Sequence, residues 1–378
     1  MPYPMPTGVS PRFSGYTEDF NAIAAALENV GHCVIEDVFN TQALALCRNY
    51  AAQLFQRLDT AYQNKKMTSG EQQAYFGTTY GFHSDQEGSY HLELFMDMIE
   101  RSPLLDLFSF LLKGNIAAMH GPMLRRPNPT YPMMHLGLHC DGQVVEYAKQ
   151  TARPEGEYTV WTPFCDVDLS APGILLISNK FAHYSKNLKQ FEDNKDIAFL
   201  FHHNAVREKF DSAEAASYSE QFWHHLSGLI KDYSADLYAP LLRVGSVVII
   251  HRDIYYSDLV YPTMTQPRCS ADIRFIGDFD KNINYVNKER GFIYKRYTRY
   301  LYDPYEQNTK RFHDLNAVIA HQQHQLYAHE DRLNTLQHHN QYPSKVLSQR
   351  KIRQKIRQMA KFLVYKLNME SMVRRLRQ

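Results

Sequence analysis

Apolar positions in the first 112 residues follow helical spacing with one short interruption. Residues 20–31 carry a helical apolar stripe that ends at a glycine, residues 32–35 predict a strand, and residues 41–54 predict a second helix. Residues 63–90 are polar with scattered glycines, which is typical of a long loop or a lid. Residues 92–112 return to helical spacing. The chain therefore begins with helices around a single strand.

A different rhythm follows, with strand-length apolar runs broken by Pro, Gly and Asn. Four runs predict strands, at residues 159–164, 173–178, 244–250 and 270–275, and residues 213–229 predict a helical insertion. Several short strands with turn signals between them are typical of an all-β sandwich or barrel. The pattern predicts a mainly β fold with flanking helices.

Beyond residue 280 we expect helices. Apolar residues recur at alternating spacings of four and three, with two polar interruptions, at Leu315, Ile319, Gln322, Leu326, His329, Leu333 and Leu336. Such a seam predicts either a coiled coil that makes a homo-oligomer or a helix packed on its own domain. We therefore predict two domains, residues 1–285 and a helical extension at residues 286–378.

The last 36 residues form a basic amphipathic pattern. They contain eleven Lys and Arg against one acidic residue, whereas the rest of the chain has 31 basic and 39 acidic residues. A basic amphipathic helix is compatible with peripheral contact to an anionic membrane, with an acidic partner, or with a solvated terminal helix. A mildly acidic body argues against nucleic-acid binding.

Composition narrows the class of protein further. The 378 residues are 44% apolar, 22% charged and 13% aromatic, with five cysteines and no C-x-x-C. This cysteine usage predicts reduced thiols and a cytoplasmic protein rather than a disulfide framework. The first residues have neither the basic nor the apolar region of a signal peptide, and no apolar run is long enough to span a membrane.

The first candidate for chemistry is His139-Cys140-Asp141. In a strand, residues two apart project to the same face, so His139 and Asp141 would present an imidazole nitrogen beside a carboxylate oxygen. These are two of the three ligands of a 2-His-1-carboxylate site for non-haem Fe(II). The pair alone is too common to identify a site.

Four segments in order resemble the phytanoyl-CoA dioxygenase-like family of Fe(II)/2-oxoglutarate-dependent oxygenases. They are Arg125 with Asn128 ahead of His139-x-Asp141; the T-x-W-x-P run at 159–163; the P-G-x-L run at 172–175; and Gly245 through His251, followed by Arg268 and Ser270. The resemblance covers about 40% of the chain. It implies a double-stranded β-helix (jelly-roll or cupin-like) core and a metal-binding oxidoreductase. Its cofactors would be iron and 2-oxoglutarate.

One position departs from the family pattern. The second ligand His should stand eleven residues after Gly245, where this chain has Tyr256. Three explanations remain open: a register shift makes His251 the third ligand, Tyr256 is a ligand or lies beside a site completed by water, or the metal site is degenerate. A phenol has an ordinary pKa near 10, so only a strong metal field would ionise it.

The resemblance also implies where 2-oxoglutarate would bind. Arg268 would pair with its distal carboxylate, with Ser270 following in the R-x-S pattern and Trp161 as a further cofactor-binding residue. Arg274 is the alternative cation, interpreted as a strand residue that faces outward or toward Asp272. An intact Arg268 favours retained ligand binding.

The predicted function is that of a dioxygenase that hydroxylates a small metabolite, such as a sugar, an amino-sugar or a lipid-linked precursor. His139 and Asp141 would be its catalytic residues, and residues 63–90 and 213–229 would select the substrate. The alternative is a catalytically degenerate relative, with Tyr256 in place of the ligand His, that acts as a binding or scaffold protein.

Overall fold

A computed structural model describes most of the β core and the helices that precede it. The described residues are 4–15, 17, 19–66, 79–80, 88–113, 116–126, 138–139, 141, 156–178, 212–259, 264–277, 291–295, 298–302 and 310–311. The chain divides into two compact units, Met1–His313 and Asp314–Gln378.

Five helices are described, and their positions follow the predicted pattern. They are α1 (Phe20–Asn29), α2 (Thr41–Gln63), α3 (Gly88–Glu100), α4 (Leu104–Leu112) and α5 (Ser212–Tyr233). Side chains cap the first two: Asp19 accepts a hydrogen bond from the Ala22 amide at 3.0 Å, and Asn40 accepts one from the Gln42 amide at 3.0 Å. Such caps satisfy amides that have no partner within the helix. The predicted helices at the front and the helical insertion at 213–229 are present.

Ten strands form the large sheet among the described residues. They are β1 (Arg12–Ser14), β2 (His32–Glu36), β3 (Thr79–Tyr80), β4 (Ile116–Arg125), β5 (Glu157–Pro163), β8 (Val247–His251), β10 (Ser270–Gly277), β11 (Gly291–Lys295), β12 (Thr298–Tyr302) and β13 (Lys310–Arg311). The order is β1-β2-β8-β5-β10-β4-β11-β12-β13, with β3 beside β4. Only β1 and β2 pair in parallel; the other described pairs are antiparallel.

A smaller sheet faces the inner side of the large one. It contains β6 (Ile174–Ile177), β7 (Leu237–Tyr238) and β9 (Tyr256–Asp258), in the order β7-β6-β9. Trp161 and Val248 from the large sheet share one buried cluster with Leu176 and Tyr256 from the small sheet. The two sheets therefore enclose a core of their own.

Side-chain alternation produces two further layers outside the sheets. On the large sheet, Ile249, Ile273 and Phe275 pack with the helices that precede β4. On the small sheet, Leu175 and Tyr255 pack with α5. Because successive residues of a strand point to opposite faces, these strands place some side chains toward the helices and the alternate ones into the core between the sheets. The protein is mainly β, with mixed sheets and flanking helices, and closure into a double-stranded β-helix stays a prediction.

The predicted domain boundary after residue 285 needs correction. Strands β11, β12 and β13 lie in the stretch interpreted as a helical extension, and β11 pairs with β4 through Phe292↔Ala118 and two neighbouring pairs. Backbone groups at the edge of β4 take these partners, so the sheet continues past the predicted boundary and the first unit ends at His313.

Several predictions fall on residues outside the described part of the chain. They include the coiled-coil-like seam at 315–336, the basic tail and most of the loop at 63–90. Homo-oligomer formation and membrane contact through these segments stay predictions. None of the described helices has the length and apolar character that a bilayer crossing requires.

Candidate functional site

His139 and Tyr256 lie side by side between the two sheets. They form an antiparallel bridge, with the His139 amide donating to the Tyr256 carbonyl at 3.0 Å and the Tyr256 amide donating to the His139 carbonyl at 2.8 Å. Their rings are 4.5 Å apart between centroids. The preceding residues, Leu138 and Tyr255, are buried in the outer layer with Leu226 of α5. Helix α5 thus supports the backbone that presents both rings.

The Asp141 carboxylate lies at the same place and is almost fully buried, with 2% exposure. It accepts a hydrogen bond from the Thr159 hydroxyl, and the Tyr256 phenol lies 3.2 and 3.1 Å from its two oxygens. The Arg274 guanidinium donates to Oδ1 at 2.5 Å. His139, Asp141 and Tyr256 are thereby brought together, as the family pattern predicts for three ligand positions.

The charges at this point are strongly coupled. Burial alone would raise the pKa of the Asp141 carboxyl, but the Arg274 guanidinium, with help from His139 and Thr159, holds that pKa well below its usual range. Burial and the neighbouring carboxylate raise the pKa of the Tyr256 phenol well above its ordinary value. Asp141 is therefore an anion and Tyr256 a neutral hydrogen-bond donor in the ligand-free protein.

Arg268 lies fully buried on the same inner side. One of its terminal nitrogens donates to Asp258 Oδ1 at 2.7 Å, and the other donates to the carbonyls of Pro172 and Gly173. The guanidinium carbon lies 5.2 Å from the centre of the Trp161 ring. A side chain at Gly173 would crowd Val167, since a Cβ there would stand 2.8 Å from its Cγ1. The ion pair with Asp258 and this carbonyl cradle fix Arg268 in place.

Three buried hydrogen-bond donors around Arg268 have no partner among the described residues. They are the Arg268 Nε, the Ser270 hydroxyl and the Trp161 indole nitrogen. Ser270 and Trp161 share the inner face, because Ser270 pairs with Pro163 in β5 and Trp161 lies two residues before it. Buried polar groups are nearly always hydrogen-bonded, so three unpaired donors together indicate a place for an acceptor. Arg268, Ser270 and Trp161 are the residues that the resemblance assigns to 2-oxoglutarate.

A third buried ion pair joins Arg125 of β4 to Asp272 of β10. The Arg125 Nε lies 2.7 Å from the Asp272 carboxylate, and both side chains are at most 6% exposed. Together with Arg268–Asp258 and Arg274–Asp141, this pair gives the space between the sheets an unusually high density of charge. Buried charges of this kind are tolerated only when paired.

His251 is not brought to this site. It pairs with Tyr158 across β8 and β5, and the two rings are 5.5 Å apart. Ile250, the preceding residue, belongs to the core between the sheets, so the His251 side chain projects to the opposite, helix-facing side. The alternation of the strand, rather than its distance along the chain, keeps His251 away from His139.

Arg274 and Glu157 were not predicted at the site. Arg274 faces inward to Asp141, neither outward nor paired with Asp272 as interpreted from the sequence. Its Nε is 3.8 Å from Glu157, whose side chain is 1% exposed. The signal was present in β10, where Ser270, Asp272 and Arg274 alternate with Ala271, Ile273 and Phe275. Period-two alternation places the three polar residues on one face.

The donor set can be tested against the iron that the resemblance implies. His139, Asp141 and Tyr256 offer an imidazole, a carboxylate and a phenol oxygen, which are all known types of iron ligand. Within the described residues no three His, Cys, Asp or Glu side chains cluster as a metal site. His139 and Asp141 are ligand types that suit a divalent cation, the neutral Tyr256 phenol would be a weak third donor, and the Arg274 guanidinium holds the Asp141 carboxylate.

Comparisons with known proteins add a structural similarity. No family model and no curated protein matches this chain. EctD from S. alaskensis with 2-oxoglutarate and 5-hydroxyectoine is 15% identical, with 73% of this chain and 82% of that chain covered and a TM-score of 0.44. The same protein with bound Fe gives 14% identity, coverage of 73% and 83%, and a TM-score of 0.42. The non-heme alpha-ketoglutarate-dependent epimerase SnoN from nogalamycin biosynthesis gives 13% identity, coverage of 68% and 82%, and a TM-score of 0.37.

Proposed function

We propose that this chain is an Fe(II)/2-oxoglutarate-dependent oxygenase that hydroxylates a small metabolite. One observation carries the proposal: each of the three residues that the resemblance assigns to 2-oxoglutarate has a buried donor with no hydrogen-bond partner among the described residues. Arg268 Nε, Ser270 Oγ and Trp161 Nε1 are all donors, and an anionic carboxylate is an acceptor. A dicarboxylate would satisfy groups that otherwise lose their hydrogen bonds on burial.

The residues around Asp141 support the metal half of the proposal. His139 and Asp141 would hold the ion, with Tyr256 as the third ligand through its phenol oxygen or as the hydrogen-bond donor that orients Asp141. When bound, iron and 2-oxoglutarate supply the oxidation: one O2 is consumed, 2-oxoglutarate becomes succinate and CO2, and one oxygen atom enters a C–H bond of the substrate. The burial of His139 and Asp141, at 7% and 2% exposure, keeps bulk water from both side chains.

The substrate class remains part of the proposal. A sugar, an amino-sugar or a lipid-linked precursor is the class implied by the resemblance. Helix α5 corresponds to one of the two segments expected to select it, and its described apolar side chains, such as Leu226 and Leu229, pack on the small sheet behind Leu138. We infer that this helix positions His139 rather than contacting substrate with these residues.

Binding of 2-oxoglutarate tests the observation directly. Ser270→Ala removes an unpaired hydroxyl, so the ligand-free protein should keep its stability, while 2-oxoglutarate affinity should fall by about fivefold to tenfold. Isothermal titration with 2-oxoglutarate, in the presence of Mn2+ in place of iron, measures the loss. Thr162→Val is the matched control, because its hydroxyl lies on the same strand pair, is also buried, and has no hydrogen-bond partner among the described residues.

Anaerobic addition of Fe(II) and 2-oxoglutarate to the full chain tests the whole site. We expect a visible absorption band that His139→Ala abolishes and that Tyr256→Phe shifts if the phenol is a ligand. Well-folded protein with neither metal binding nor a band would overturn the proposal and favour the scaffold alternative.

A further inference from the structure

The Arg274 guanidinium lies between two buried carboxylates and is hydrogen-bonded to one of them. It donates to Asp141 Oδ1 at 2.5 Å, whereas its Nε is 3.8 Å from Glu157 Oε1. Neither oxygen of Glu157 accepts a hydrogen bond from any described residue, although the side chain is only 1% exposed. Arg274 thus pairs with Asp141, and Glu157 is a second possible acceptor within its reach.

Both side chains lie on the inner face of the large sheet. Arg274 pairs with Thr159, and Ile276 pairs with Glu157, so Glu157 stands diagonally across from Arg274 on adjacent strands. Diagonal neighbours on one face are within reach of long side chains. A change in side-chain torsions would suffice to move the guanidinium from one carboxylate to the other.

Three donors already hold the Asp141 carboxylate, from Arg274, Thr159 and Tyr256, and together they take about three of its four lone-pair sites. Oδ1 lies within hydrogen-bonding distance of Arg274 and Tyr256, and Oδ2 of Thr159 and Tyr256. A divalent cation on the same carboxylate would also stand within a few ångströms of the guanidinium. Like charges this close together in a buried site repel strongly. Metal and Arg274 therefore compete for Asp141.

We propose that Glu157 is a positioning residue that receives the Arg274 guanidinium when a metal ion takes Asp141. The inference rests on the proposed function, since it requires a metal at His139 and Asp141. In the exchange, the Arg274–Asp141 hydrogen bond breaks, an Arg274–Glu157 bond forms, and any proton on Glu157 passes to solvent. The divalent ion adds its charge at Asp141, and the metal ion and the guanidinium then each have a carboxylate of their own.

The charge state of Glu157 sets when it can receive the guanidinium. Burial, together with the Asp141 carboxylate, raises the pKa of Glu157 to about 7 against the pull of Arg274 and Arg252, with Asp253 adding to the rise. Below neutral pH the acceptor is protonated and Arg274 stays on Asp141. Metal binding is therefore linked to ionisation of Glu157.

The exchange can be tested without turnover by titrating the metal-free full chain with Mn2+. The electron paramagnetic resonance signal of free Mn2+ measures how much of the ion is bound. At pH 8, Glu157→Gln should bind Mn2+ about tenfold more weakly than the wild type, and at pH 6 the two should nearly agree. Glu36→Gln is the control, since that carboxylate lies on β2, two strands away from Glu157 on β5, and its side chain is 46% exposed. It should leave the affinity unchanged at both pH values.

Arg274→Met separates exchange from simple attraction between Glu157 and the metal. Without Arg274 nothing must be displaced, so Mn2+ should bind more tightly than in the wild type, and adding Glu157→Gln should then have no effect. A Glu157→Gln effect that persists without Arg274 would overturn the inference. So would equal affinity of wild type and Glu157→Gln at pH 8.

The two proposals fail differently. If wild type binds Mn2+ at a His139-dependent site with no role for Glu157, the exchange is wrong and the oxygenase proposal stands. If neither wild type nor Arg274→Met binds Mn2+, both proposals are overturned. Should Arg274→Met fail to fold, the comparison of wild type with Glu157→Gln across pH still decides the inference.

Discussion

The two faces of strand β10 differ in chemistry: one is apolar and the other carries charged side chains. Ala271, Ile273 and Phe275 face the helices and are buried among hydrocarbon side chains. The alternate residues Asp272 and Arg274 face the small sheet and form ion pairs with Arg125 and Asp141. The helix-facing side stabilises the fold by removing apolar area from water. On the inner side the charged groups lose their hydration, and only their ion-pair partners offset that loss.

The two faces should therefore respond differently to substitution. On the helix-facing side the cost should scale with volume removed, independently of pH. On the inner side it should depend on which partner is left behind and on protonation.

Removing one charge from the inner face should cost most. Arg125→Met leaves the buried Asp272 carboxylate without its counter-charge, so the free energy of unfolding should fall by about 3–5 kcal/mol. Urea denaturation measures the change. Replacing both partners, with Arg125→Met and Asp272→Leu, should recover most of the loss, and a double variant as unstable as the single one would contradict the charge argument.

Glu157 should make stability fall with rising pH. Its pKa is raised from 4.5 to about 7 in the folded protein, so between these values the native state holds a proton that the unfolded state has released. Stability contributed at low pH is then lost as pH rises, by about 3 kcal/mol between pH 4.5 and 7. Glu157→Gln removes this term, so its stability relative to wild type should grow over that window in urea denaturation. A constant difference between the two proteins would contradict this prediction.

A volume change on the helix-facing side should cost less and show no such pH dependence. Phe108 stacks on Phe275 with ring centroids 4.3 Å apart. Phe108→Leu should lower the free energy of unfolding by about 1–2 kcal/mol, equally at pH 5 and pH 7.5. Mn2+ affinity should be unchanged. Loss of metal binding in this variant would contradict the expectation that the helix-facing side does not affect the metal site.

His251→Ala should have the smallest effect. The side chain is 29% exposed and faces away from His139, so stability should change by less than about 1 kcal/mol and Mn2+ affinity should stay the same. The matched comparison is His139→Ala, which should abolish binding. A large loss of metal affinity on His251→Ala would revive the register-shift explanation.

Much of this arrangement was accessible from the sequence. The front helices, the strands and the approach of His139, Asp141 and Tyr256 follow from periodicity and from the family pattern. The partners of Arg274 and Arg268 did not, because a cross-strand neighbour depends on pairing register, which one chain's periodicity leaves open. The sheet beyond residue 285 was missed although Gly291–Lys295 and Thr298–Tyr302 contain the aromatic and β-branched residues typical of strands.

The three-residue strand Tyr256–Asp258 has a consequence for how this protein tolerates change. Its first residue contacts Asp141 and its last holds Arg268, while Ser257 between them points the other way. Exchanging either end residue would disturb one half of the interior and spare the other. Because Tyr256 and Asp258 share one strand register, a change in the length of this strand would move at least one of them off the inner face. Substitutions at the two ends should therefore act separately on the Asp141 and Arg268 contacts, whereas a change in length would alter how the two contacts are placed together.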